Sequence, residues 1–309
     1  MAARKQCSAH DNFLDAYSAW TYDESIREIR LLEPQQDLKD LLASERLSYE
    51  QRISISTETR WISGYYFVQG TVLCFNDPDA GWRIIKRALL YDYWDTRITL
   101  RARDFWRVAR GQKKKPSENA LNLTIEAALA LVMARSEAMW YLDLLEQSLS
   151  DGTLAWFDDD FFSAYLVRLY RKLKREEDIK GLPPRAAEGW EHPFDDLIDS
   201  WDDEEKLAAA ILRACDYHLR WNRDDTDEHR AEFGAPVAIV NPVEVHALEA
   251  VRNELGLSTP TVEHELLQPP FYPIPDFAKN IANEDILAED DLLRRVVELN
   301  QPWCDGLEE

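Results

Sequence analysis

Residues 48–78 read SYEQRISISTETRWISGYYFVQGTVLCFNDP, and this stretch decides the fold class. Ile53, Trp61, Ile62, Tyr65, Tyr66, Val68, Val72 and Leu73 keep a helical spacing from about Ser48 to Phe75. Asn76-Asp77-Pro78 then makes a turn in which Asp77 can cap a new helix and Pro78 can take its first position, where a missing N–H costs nothing. From there Trp82, Ile85, Leu89, Trp94, Ile98, Leu100, Phe105 and Val108 carry the period on to Gly111, a natural stop. Two long helices joined by a short turn are expected to pack as antiparallel neighbours.

Working outward, the same pattern recurs. A helix is expected over about Asp23 to Leu42, broken near Pro34. Ser117 opens an apolar helix over 118–149, closed by Asp151-Gly152. Phe161, Tyr165, Leu166, Leu169, Tyr170 and Leu173 mark another, ended by Gly181-Leu182-Pro183-Pro184. The stretch 182–200 reads as a loop or linker, and Ser200 can cap a helix carrying Leu207, Ile211, Leu212, Cys215 and Leu219. In 242–255, Asn241 stands as cap, Pro242 at the first position, Glu244 as the return arm of a capping box, and Gly256 as the stop. Leu266 to Pro275 is proline-rich and extended, and 284–300 is a final amphipathic helix. The lone strand-like piece, 236–240, is too short to build a sheet. The expectation is an all-α chain, an up-and-down multi-helix bundle or irregular helical array. Two regions are expected, 1–181 and 182–309, packed as one body.

Composition sets the function classes. With 58 acidic against 36 basic residues the formal net charge is −22, so nucleic acid and anionic membranes are poor partners for the chain as a whole. A basic protein would be steered toward it. Cys7, Cys74, Cys215 and Cys304 form neither a disulfide framework nor a zinc site. The N-terminus lacks the apolar run of a secretory signal, and no segment is apolar enough to span a bilayer, so a cytoplasmic location is expected.

Catalytic patterns are missing. His264-Glu-Leu-Leu-Gln268 falls one histidine short of a zinc-protease helix, and Pro269-Pro270 follows at once. His10-Asp11 is a solitary pair. Asp216-x-His218 and Glu244-x-His246 place acid and histidine on different sides of a helix. His192 and His229 read as solvated, as does the Asp225, Asp227, Glu228, His229 loop. There is no phosphate loop and no GxSxG elbow. No cofactor and no metal are expected, nor a catalytic residue.

Charge clustering is more informative. From Glu188 to Glu205 there are nine acids without one Lys or Arg, interleaved with Trp190, Phe194 and Trp201. Acids around aromatics suit a surface that meets Arg and Lys; the alternative is a solvated loop whose tryptophans fold inward. Asp158-Asp159-Asp160 before Phe161-Phe162 repeats the theme. The surface residues singled out are Glu191, Asp195, Asp199, Trp201, Asp202 and Asp203. Two basic stretches, Arg97 to Lys115 and Arg168 to Arg175, are expected to pair internally with acidic helices.

The run Asn241-Pro-Val-Glu-Val-His-Ala-Leu-Glu-Ala-Val-Arg-Asn-Glu-Leu-Gly256, with Leu257 through Pro269-Pro270, resembles the C-terminal part of immunity protein family 49. The resemblance covers roughly 30 residues, and the rest of the chain is similar only in style. It implies an all-helical protein of a polymorphic toxin system, of the kind linked to type VI secretion, that protects the cell by direct binding to a cognate toxin; the acidity of the chain suits a toxin with a basic surface. A helical scaffold or adaptor for another protein, and an enzyme with a dispersed carboxylate and His218 or His246 site, are the other two readings.

Overall fold

In the computed structural model the described residues are 8–111, 118–157, 160–177, 179, 182, 192–222, 233, 235–276, 278 and 285–307. The chain is all-α. In order, the helices are α1 (Ser8–Tyr22), α2 (Glu24–Arg27), α3 (Glu33–Leu42), α4 (Tyr49–Cys74), α5 (Pro78–Ala109), α6 (Thr124–Met133), α7 (Arg135–Asp151), α8 (Phe161–Lys174), α9 (Phe194–Asp199), α10 (Glu204–Trp221), α11 (Pro236–Ile239), α12 (Val243–Glu254), α13 (Ile286–Glu289) and α14 (Asp291–Cys304). Among the described residues the strand content is one parallel pair, Glu118 opposite Leu154 and Asn119 opposite Ala155.

The chain divides into two compact units that do not follow chain order. One comprises residues 1–15 and 118–279, the other 16–117 and 280–309. The division between 181 and 182 read from the sequence falls inside the first. The reason is packing: α12 lies against α6 and α8, while α14 lies against α3 and α5.

The second unit is built on the α4–α5 hairpin. Ser48 and Gln51 close a reciprocal capping box at the start of α4. Asp77 accepts the Ala80 N–H at 3.1 Å to start α5, as expected. The two helices approach backbone to backbone. A Cβ on Gly81 would stand 2.6 Å from the Cys74 nitrogen and 2.7 Å from the Gly70 carbonyl oxygen. Farther along, Asp95 binds Ser56, and it accepts from Arg60 Nε at 2.7 Å and Thr99 Oγ1 at 3.2 Å. Before α3, residues Glu28–Leu32 form a π-helical turn. The Pro34 ring in a regular helix would meet the Arg30 carbonyl, and the wider turn relieves that conflict.

In the first unit, α6, α8 from Phe161 to Tyr170 and α12 from Val243 to Leu248 are buried on nearly every side, while α10 buries one stripe. The expected single helix over 118–149 is in fact a 3₁₀ turn and two helices. Ala134, with φ −151° and ψ 72°, breaks it. No Gly or Pro announces the break. It lets the apolar α6 bury itself against α7, α8 and α12 together. Gly152, at φ 68°, ends α7 as expected. α8 ends at Arg175, in the left-handed region at φ 58°, ahead of the Gly-Pro stretch; Gly181, Pro183 and Pro184 lie outside the described residues. Residues 236–239 form a helical turn and not a strand. Part of the expected 182–200 loop is α9, whose Phe194, Leu197 and Ile198 are buried.

Candidate functional site

The acidic segment is shaped by α9 and the start of α10. Ser200 terminates α9, with its N–H on the Asp196 carbonyl at 3.0 Å, and does not cap α10. Asp203 takes that role, its carboxylate accepting the Lys206 N–H at 3.1 Å. A hydrogen bond from the Lys206 side chain, with that N–H, holds the Asp203 carboxyl below the usual range.

The structure separates the predicted surface residues by role. Glu191 lies outside the described residues, with Glu188 and Trp190. Asp195 is half-buried, 3.4 Å from Arg168 Nη1 on α8. Asp199 and Asp202 are exposed, and Asp203 is the cap. Trp201 is no surface anchor. It is 6 % exposed, with the Arg252 guanidinium 5.0 Å and the Lys172 ammonium 5.5 Å from its ring centre. Arg252 Nη1 also donates to the Trp201 carbonyl at 2.6 Å. The tryptophan is held between cations because α12 and the end of α8 converge beneath it.

Above this sandwich lies an open cleft of about 380 Å³, lined by Lys172, Glu176, Glu177, Ile198, Asp199, Trp201 and Asp202. Its lining holds four acids and one lysine beside Ile198 and Trp201, and Glu176 is also paired with Arg171 at 3.1 Å and Lys174 at 3.4 Å. Sequence reasoning found the α9–α10 side but missed Glu176 and Glu177, which sit just past the end of α8 among its bases.

Those bases are mostly engaged within the unit. Arg171 and Lys174 both reach Glu146 on α7, the latter at 2.5 Å. Burial works to raise the Glu146 carboxyl, yet these two cations leave it below the usual range. In the other unit Arg97 pairs with Asp305, and Arg101 Nε donates to the Trp303 carbonyl at 3.0 Å. Lys113, Lys114 and Lys115 lie outside the described residues, as do Asp158 and Asp159.

A second constellation is internal. Of Asp216-x-His218 and Glu244-x-His246, one histidine and one acid, His218 and Glu244, meet across helices. His218 Nδ1 is 2.9 Å from Glu244 Oε2, and His218 Nε2 is 2.7 Å from the Ala238 carbonyl oxygen. Each ring nitrogen of His218 thus has an oxygen within hydrogen-bond reach. Phe233 stacks on it at 4.0 Å. Asp216 is paired instead with His264, at 3.2 Å. The expected capping box at α12 is therefore absent, because Glu244 turns inward to His218. Pro242, without a side-chain hydrogen bond, holds the cap position, and Asn241 is fully buried with neither amide atom hydrogen-bonded.

Around the pair, burial and the Glu244 charge push the Tyr165 hydroxyl and the Cys215 thiol upward. His218, Glu244 and His246 are each 0 % exposed. Acid and histidine converge, but no substrate can reach them in this packing, so the pair holds α10 to α12.

Of two further buried histidines, His192 departs from the solvated position expected of it. His192 is buried and stacks on Phe161 at 4.1 Å, and its burial lowers its pKa. His10 is buried with its ring edge-on to Phe271 at 5.8 Å. His229, Asp225, Asp227, Glu228 and Cys7 lie outside the described residues. Among the described residues no group of three or more His, Cys, Asp or Glu could hold a metal ion. No helix there is long and apolar enough to cross a membrane. No family model, no curated protein and no solved structure matches this chain.

Proposed function

We propose that this chain is an immunity protein that acts in the cytoplasm by binding a cognate bacterial toxin and covering its active site. The observation that carries the reading is the acidic cleft: Glu176, Glu177, Asp199 and Asp202 around a floor of Ile198 and Trp201. An Arg or Lys side chain of the toxin fits such a cleft, its aliphatic stem on the apolar floor and its charge among the carboxylates. The net charge of −22 steers a basic partner and speeds encounter. The likeness of residues 241–270 to an immunity family supports the same reading. Trp201 serves as a preorganised floor, its ring held by Arg252 and Lys172, and so little side-chain entropy is lost when a guest is seated.

The test is to mix the purified chain with the product of the neighbouring gene and measure association by calorimetry and gel filtration. A complex at micromolar concentration or tighter is expected, with an on-rate that falls as salt is raised. The double variant Asp199→Lys, Asp202→Lys should weaken it by about tenfold or more while leaving thermal stability unchanged. Failure to form a complex, or a complex indifferent to those two charges, would overturn the proposal.

A further inference from the structure

The last turns of α5 carry a surface of opposite character. The buried face of this helix ends at Ala102. Beyond it Phe105 is 42 % exposed, Trp106 38 % and Val108 82 %. Three large apolar side chains on the last turns of one helix are not the scattered exposure of an ordinary surface. Two of them also pack on neighbouring side chains. Phe105 stacks on Tyr49 at 5.8 Å, and the Arg110 guanidinium sits 3.7 Å above the Trp106 ring.

The charges there are mainly positive. Arg103, Arg107 and Arg110 are set against Asp104 alone, in a molecule that carries −22 overall. Arg107 approaches Asp104 at 3.7 Å, and Arg110 is exposed. A helix C-terminus already favours cations, which accounts for the presence of arginine. It does not account for aromatic and aliphatic side chains left in water beside it.

From this juxtaposition we infer that the α5 end, Phe105 to Arg110, is a docking surface for an acidic, apolar-bearing segment of a protein. This goes beyond the toxin-binding cleft, which lies in the other unit and selects the opposite charge. Charge complementarity sets the partner's sign, since cations on aromatic faces pair with carboxylates. The aliphatic exposure of Val108 favours a peptide side chain over a nucleotide. A polyanion such as nucleic acid or an anionic bilayer is opposed by the field of the whole chain, whereas a few carboxylates on a short segment are not.

The experiment uses the full chain on an array of dodecapeptides in four matched sets: Asp/Glu with Leu/Phe, Asn/Gln with Leu/Phe, Lys/Arg with Leu/Phe, and Asp/Glu with Ser. Single-stranded oligothymidylate and phosphatidylserine vesicles are titrated alongside. The expected result is selective retention of the acidic-apolar set, lost by about tenfold in Trp106→Ala and in Arg110→Glu, and unchanged in Asp199→Lys, Asp202→Lys. Both α5 substitutions are at the surface, and thermal melts confirm that the variants fold. No preference for the acidic-apolar set, retention by both α5 variants, or tighter binding of oligonucleotide or vesicles would each overturn the inference. Because the cleft variant is carried through, failure here is separate from failure of toxin binding.

Discussion

His218 on α10 and Glu244 on α12 form a fully buried pair, Nδ1 to Oε2 at 2.9 Å, between positions 26 residues apart in the chain. The Ala238 carbonyl completes the imidazole's bonding from the other side. Neither residue belongs to a motif, yet both occupy core positions of their helices. His218 continues the stripe of Leu207, Ile211 and Cys215, and Glu244 that of Leu248 and Val251.

Removing one member of this pair strands the other in an apolar interior. Glu244→Ala and His218→Ala are each expected to destabilise the chain by about 3 kcal/mol or more. The double variant should lose less than the sum of the two. Urea unfolding of the four proteins measures the coupling; additive losses would mean the two groups do not interact.

The α4–α5 crossing makes a sharper steric demand. Gly81→Ala places a methyl group against backbone atoms of Cys74 and Gly70, which cannot yield as a flexible side chain would. A loss of roughly 3 kcal/mol is expected, within the range for overpacking. Gly64, in the same helix as Gly70, has nothing within 4 Å of an added Cβ. Gly64→Ala should therefore stabilise by about 0.5–1 kcal/mol through helix propensity alone. Thermal denaturation of the two variants should move in opposite directions.

Glu126 on α6 gives a pH dependence. Its Oε2 is buried without a hydrogen-bond partner, and burial pushes the carboxyl up from 4.5 to about 7. A carboxyl raised in the folded state holds its proton when the unfolded chain has lost it. Its contribution is intact below pH 4.5 and is lost as pH rises toward 7. Glu126→Gln should match the parent protein in acid and exceed it above pH 7 by on the order of 2 kcal/mol, less than the full shift implies because the residue as a whole is only half-buried although its Oε2 is covered. Denaturant midpoints across that range provide the check, and a gain equal at all pH values would rule out titration as the cause.

Trp201 separates structural from recognition roles. As a buried ring between two cations its truncation to Ala is expected to cost about 3 kcal/mol of stability. Asp202→Ala, on the exposed rim of the same cleft, should change stability by under about 0.5 kcal/mol. Melting curves of the pair distinguish a floor from a rim; a harmless Trp201→Ala would contradict the sandwich.

The helical class, the α4–α5 hairpin and its caps were legible in the chain because they depend on local terms: apolar spacing, Ser48 and Asp77 as caps, Pro78 at a first position. The concentration of acids at the α9–α10 junction was equally plain, since net charge needs no geometry. The break at Ala134 was not legible, because no local residue causes it and the burial of α6 on several neighbours does. The inward turn of Glu244 was hidden for the same reason. A local cap and a distant histidine compete for one carboxylate, and the partner that comes from another helix wins in the dry interior, where a charged hydrogen bond is strongest. Whether Trp201 faced solvent or core, and whether Glu176 and Glu177 joined the cleft, depended likewise on contacts between segments far apart in sequence. Periodicity and charge reach a few residues along the chain; long-range packing chose which side chains meet.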